Sequence, residues 1–122
     1  MQEKYSLKNN KYCKTRGGSA RFLSIYCGTC GKELLLYQKD GPGNLFRLYF
    51  DKIAAPADYS KKLSGITNKQ QAEGLKCSEC KTLIAVPMVY TPENRLALRL
   101  IGPIKKVENS QGIFPLGSQK KP

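Results

Sequence analysis

The sequence predicts a mainly β fold: two knuckle-bearing β-hairpins, or small antiparallel sheets, clamped by one four-cysteine zinc site and flanked by flexible basic tails. Three observations lead there. Two Cys-x-x-Cys knuckles, Cys27-Gly-Thr-Cys30 and Cys77-Ser-Glu-Cys80, stand 46 residues apart and supply four thiolates, one tetrahedral set. Each is followed by apolar runs rich in aromatic and aliphatic residues, broken by turn-forming clusters. The chain of 122 residues has no histidine, so its metal ligands are sulfur alone or sulfur with carboxylate.

Residues 1–21 are polar and basic, with Asn9-Asn10 and Arg16-Gly17-Gly18-Ser19, and read as a flexible arm. Residues 22–104 form the zinc-binding β domain. Within it, Phe22-Leu23-Ser24-Ile25-Tyr26 is a short strand that delivers Cys27. After the knuckle, Glu33–Lys39 and Leu45–Ile53 read as strands joined by Asp40-Gly41-Pro42-Gly43-Asn44, which is dense in turn residues. The second half repeats this plan. Cys77–Cys80 leads into Thr82–Tyr90, a turn at Thr91-Pro92-Glu93-Asn94, and the loosely alternating run Arg95–Ile101, closed by Gly102-Pro103. Pro87 marks its strand as an edge or a bend. The connector 54–76 between the halves carries at most one helical turn, near Gln70–Glu73. From Lys105 the chain is a polar basic tail to residue 122, frayed at Gln119–Pro122. Within it the apolar island Ile113-Phe114-Pro115-Leu116 is suited to dock on the domain or on a partner.

Cys27, Cys30, Cys77 and Cys80 are the predicted metal ligands. Four sulfurs fill a tetrahedral Zn²⁺ and leave no open position for a reacting water, so the zinc is structural. Gly28 and Gly31 let backbone amides approach the sulfurs of the first knuckle. The second has Ser78 and Lys81 there, and Lys81 can offset thiolate charge. Two knuckle-bearing hairpins sharing one zinc resemble the zinc-ribbon class. Their wide separation also resembles the β-tent proteins, the Yippee and Mss4-like group, in which two sheets meet at a zinc held by four cysteines. Tyr26-Cys27-Gly28-Thr29-Cys30-Gly31 resembles half of a rubredoxin knuckle pair, which keeps a single iron and electron transfer open as an alternative. The fifth cysteine, Cys13, lies between Lys11 and Lys14 and reads as either a reactive thiol of the arm or a small residue without special role.

The formal net charge is +12. Residues 1–21 hold six basic side chains and one acid, and residues 105–122 hold four and one. This distribution points to a polyanionic partner. The reading is a small basic zinc protein that binds nucleic acid, with RNA or a ribonucleoprotein or transcription assembly favoured. Lys8, Lys11, Lys14, Arg16 and Arg21 are the arm contacts, and Arg47, Arg95 and Arg99 are sheet-face contacts. Tyr5 and Tyr12 interleave the arm and can stack on bases. The alternative is a zinc-stabilised protein-interaction module without nucleic acid. No catalytic constellation is present: histidine is absent, carboxylates are scattered, and no phosphate-cradling loop precedes a helix. No small-molecule substrate is predicted. The start lacks a hydrophobic signal core and no apolar run reaches membrane-spanning length, so a reducing cytoplasmic setting without membrane attachment is expected.

Overall fold

Residues Ala20–Cys27 (β2) and Glu33–Asp40 (β3) form an antiparallel hairpin whose turn is the first knuckle. A computed structural model describes residues 2–8 and 10–117. Besides β2 and β3 it contains β1 (Glu3–Lys4), α1 (Lys11–Thr15), β4 (Arg47–Tyr49), β5 (Ile53–Ala55), α2 (Ala57–Ser64), β6 (Leu75–Lys76), β7 (Leu83–Tyr90), β8 (Arg95–Leu100), β9 (Ile104–Glu108) and β10 (Ile113–Phe114). The strands make two four-stranded antiparallel sheets. The first has the order β5-β3-β2-β9, and the second has the order β4-β8-β7-β6. The short pair β1-β10 forms a separate ribbon.

The core follows from period-two alternation. Leu23, Ile25 and Cys27 of β2, with Leu35 and Tyr37 of β3, join Leu48, Ile84 and Leu98 of the second sheet in one buried cluster. Burying each such aliphatic side chain stabilises by about 1.5–3 kcal/mol. The second knuckle is likewise the turn of a hairpin, β6-β7. The predicted strand pair either side of Thr91–Asn94 is present as β7-β8, with Asn94 in the left-handed region at φ 50°. Pro87 pairs with Leu98 but lies beyond the end of β6, where a missing N–H disturbs no ladder.

The first half departs from the predicted plan. No hairpin forms across Asp40–Asn44. β4 instead crosses to the second sheet and pairs with β8, while β3 takes β5 as its outer neighbour. The reason is local packing. The Gly41 amide donates to the Ser19 carbonyl, and a side chain at Gly41 (φ 76°) would meet the backbone of Arg16 at 2.7 Å. The chain is therefore pressed onto the segment before β2 and cannot fold straight back along β3. The connector also carries more structure than expected. α2 has Asp58 in its first turn, Lys61 and Lys62 in its last, and Leu63 buried, which suits the helix dipole and anchors it to the core. The single predicted turn appears as a 3-10 turn at Lys69–Gln71.

The basic ends differ from the expected free tails. Among the described residues of 1–21, Lys8 exchanges backbone hydrogen bonds with the Gln38 side chain, Cys13 is buried, and Arg16 ion-pairs with Glu93. A buried pair, Lys52–Asp40 at 2.9 Å, organises this docking. Lys52 Nζ also donates to Asn10 Oδ1, and that oxygen caps α1 through the amides of Tyr12 and Cys13. After Lys105 the chain continues as β9 against β2. The apolar island then docks on the domain: Phe114 packs on the cluster of Phe22, Leu36 and Ala55. Glu33 accepts from the amides of Leu116 and Gly117. Residues 118–122, which include the predicted fraying at Gln119–Pro122, lie outside the described residues. No described helix is long and apolar enough to cross a membrane.

Candidate metal centre and cationic surface

Both knuckles have the same backbone. In the first, Gly31 N donates to Cys27 O and Cys27 N to Lys32 O. In the second, Lys81 N donates to Cys77 O and Cys77 N to Thr82 O. Each hairpin turn thereby presents two sulfurs from one side. The turns need a left-handed residue after the second cysteine. Gly31 supplies it at φ 83° without steric cost, and Lys81 at φ 66° supplies it with strain. Lys81 Nζ caps the Ser78 carbonyl at 3.0 Å, which offsets part of that cost. The hydrogen bond from Gly28 N to Pro103 O, at 2.9 Å, ties the first knuckle to the crossover that leaves β8. The amides of Ile101 and Gly102 in turn donate to the Ile84 carbonyl at 2.9 Å, so the same crossover also lies against the start of β7.

The four Sγ atoms of Cys27, Cys30, Cys77 and Cys80 all lie within 4.8 Å of one another. Cys27 and Cys80 approach to 3.6 Å, and Cys30 and Cys77 to 3.5 Å. Metal–sulfur bonds of ~2.3 Å in a tetrahedron require sulfur separations of about 3.8 Å. The four residues therefore fit a tetrahedral metal ion, and the pairs cross between knuckles rather than within them. Surrounding donors favour thiolates. The Thr82 hydroxyl, 3.1 Å from Cys80 Sγ, and the Thr82 backbone hold Cys80 down to about 6. At Cys77, burial raises the pKa, but the amides of Cys80 and Glu79 outweigh it and the group is lowered. At Cys30 the Lys32 amide pulls downward, but the crowding sulfurs of Cys77, Cys80 and Cys27 push it up to about 12. A cation at the centre removes that conflict by letting all four ionise together.

Cys13 is not part of this set. It is 2% exposed and its Sγ faces the Ser19 carbonyl at 3.8 Å, so it packs as a small apolar residue.

The predicted cationic residues divide into groups. Lys11 and Lys14 are exposed on α1. Lys8 is exposed but tethered, its Nζ donating to the Asp51 carbonyl. Arg16, Arg47 and Arg95 gather around the Tyr49 ring. Arg47 and Arg99 stand directly opposite each other across β4-β8, on the face of that sheet turned away from Leu48 and Leu98. Arg95 shares that face but is not an outward contact. It is 6% exposed, sandwiched between Tyr12 at 3.7 Å and Tyr49 at 3.8 Å, and ion-paired with Asp51 and Glu93. Its Nε is buried without an acceptor among the described residues. Alternation along β8 places Arg95 outward, but α1 and Tyr49 cover it. Arg21 pairs across β2-β3 with Lys39, a residue the sequence reading missed because a lysine ending an apolar run looks like a solvated strand end.

Comparison with family models, curated proteins and solved structures finds no match for this chain. The likeness to zinc-ribbon and β-tent proteins rests on the four cysteines and the two hairpins.

Proposed function

We propose that this chain is a small basic structural-zinc protein that binds nucleic acid, with RNA favoured. The observation that carries the first half is the four-sulfur cluster, whose spacing matches a tetrahedral zinc and whose ligand count leaves no position for chemistry at the metal. Zinc is preferred to iron because the metal's place between two hairpins explains the fold without any redox partner. The second half is supported by cations that no carboxylate among the described residues neutralises. Like charges face each other at Arg21–Lys39 and at Arg47–Arg99. Cross-strand repulsion of this kind costs stability. A polyanion binding there converts the repulsion into affinity, with phosphate contacts that release counterions.

The test is purification without nuclease, followed by absorbance at 260 against 280 nm across a salt gradient. The reading expects nucleic acid that leaves only at high salt. Protein free of nucleic acid at every salt concentration, and without affinity for added RNA or DNA, would move the assignment to a protein-interaction module.

A further inference from the structure

The geometry points to a specific phosphate site: the cleft of roughly 280 Å³ where β3 and β4 meet the 41–46 loop binds a phosphate of single-stranded nucleic acid through Lys39 and Arg47, with Phe46 stacking on the adjoining base. This deepens the nucleic-acid reading above and rests on it.

Four observations carry it. First, Lys39 and Arg47 line one cleft with Arg16, and neither Lys39 nor Arg47 has a carboxylate at ion-pair distance among the described residues. Arg16 is held by Glu93 and Tyr49 and serves as a wall. Second, Lys39 is a cation in a poor place for one. It is 8% exposed, its Nζ meets among the described residues only the carbonyls of Gly41 and Pro42 at 3.3 Å, and Arg21 stands opposite. Burial, then Arg21 and Arg16, lower its pKa. An anion beside it relieves each of these costs. Third, Arg47 is held in place by two aromatic residues. Its Nε donates to Tyr49 Oη at 3.1 Å and its guanidinium lies over the Tyr90 ring at 4.3 Å. Its terminal nitrogens have no protein acceptor among the described residues, which leaves the planar fork for two phosphate oxygens. Fourth, Phe46 is 62% exposed beside Arg47. An exposed ring adjoining a cationic fork suits an unpaired base next to its phosphate. Asp40, also in the wall, is neutralised by Lys52 and does not repel the phosphate.

The test is fluorescence anisotropy with a labelled single-stranded RNA of about 12 nucleotides, a length within single-strand site sizes, across a salt series. The paired variant Lys39→Gln/Arg47→Gln is compared with Lys61→Gln/Lys62→Gln, which removes the same charge from the exposed face of α2. The site predicts at least a tenfold loss for the first pair and a salt slope shallower by about 0.7, from ~0.7 per phosphate neutralised. The second pair is expected to lose less than threefold. Phe46→Ala is expected to weaken binding about fivefold or more at unchanged slope. Equal losses in both charge pairs would overturn the site while leaving general nucleic-acid binding intact. No binding by the unaltered protein at low salt would overturn both. Inorganic phosphate or AMP competing at micromolar concentration would replace the strand with a free phosphate ester as occupant and overturn the proposal in that respect. Amide shifts in the unaltered protein during RNA titration give a check that needs no variant. They should centre on residues 39–47, and a centre elsewhere contradicts the assignment.

Discussion

The two ends of the β2-β3 hairpin carry opposite chemical excesses. At the knuckle end, four sulfurs from two hairpins lie within 4.8 Å of one another, an arrangement that could hold a metal ion. At the other end, about 20 Å away along β3 at ~3.4 Å per residue, Arg21 and Lys39 face each other with no carboxylate among the described residues bridging them. The knuckle end is fixed by backbone hydrogen bonds, and its four sulfurs could close around a single metal ion. The far end is built from long cations, Lys39, Arg47 and Arg16, around a cleft, where we propose that a strand of phosphates binds. The contrast sets a tip fixed by backbone hydrogen bonds against a loop-lined cleft, the kind of surface on which binding residues commonly sit.

The largest expected effect comes from the metal end. Cys77→Ser should abolish the cooperative thermal transition, because metal binding in such sites, worth ~10–16 kcal/mol in small zinc domains, is folding energy. A Cys77→Ser protein with an unchanged transition would show that the hairpins are held without a shared site.

Next is the buried pair that docks the amino-terminal segment. Lys52→Ala leaves Asp40 charged and buried, and should cost about 3–5 kcal/mol in denaturant unfolding. Lys52→Met with Asp40→Leu should recover much of that loss. A cost below about 1 kcal/mol for Lys52→Ala would mean that the segment is only loosely attached.

Glu93 links α1 to the turn before β8 through Arg16 and Arg95. Glu93→Gln should cost about 1.5–3 kcal/mol at neutral pH, the range for hydrogen bonds to charged groups. Burial raises the Glu93 pKa, but the two arginines outweigh it and hold the group below its ordinary value of 4.5. Its folded-state pKa is therefore depressed. The stability it contributes is present above the unfolded-state pKa and is lost as pH falls through the folded one. The acid limb of stability against pH should be shallower in the variant. An identical acid limb would remove Glu93 from the account.

The smallest effects compare the two knuckles. Lys81→Gly should stabilise by up to about 1 kcal/mol by relieving a left-handed lysine, less the lost Ser78 contact. Gly31→Ala, which meets no neighbouring atom, should destabilise by about 1 kcal/mol through backbone strain alone. Equal and negligible changes would mean that the two turns relax more than their shared hydrogen bonds imply.

Much of the metal end was legible in sequence because its signals are local. Cysteine spacing, Gly31, and the alternating runs at Phe22–Tyr26 and Arg95–Ile101 each speak within a few residues. The far end was legible only in part. Arg47 and Arg21 were visible as cations, but Lys39, Lys52, Gln38 and Asn109 are buried polar residues, and hydrophobic patterning places such residues outside. The Asp40–Asn44 cluster signals a turn equally well for a hairpin and for a crossover between sheets. The choice is made by Gly41 packing on Arg16, a contact between distant positions that no local pattern encodes. α2 was missed because only Leu63 is fully buried on it. The amino-terminal segment was read as free because its anchors, Asn10, Cys13 and Arg16, bind partners outside the local pattern, Lys52 and Glu93 among them.

The most direct test of the central claim is zinc content by elemental analysis, paired with thermal unfolding before and after chelation. The account predicts one zinc per chain, and loss of the cooperative transition together with the metal. A protein without metal, or a chelated protein that keeps its transition, would contradict it.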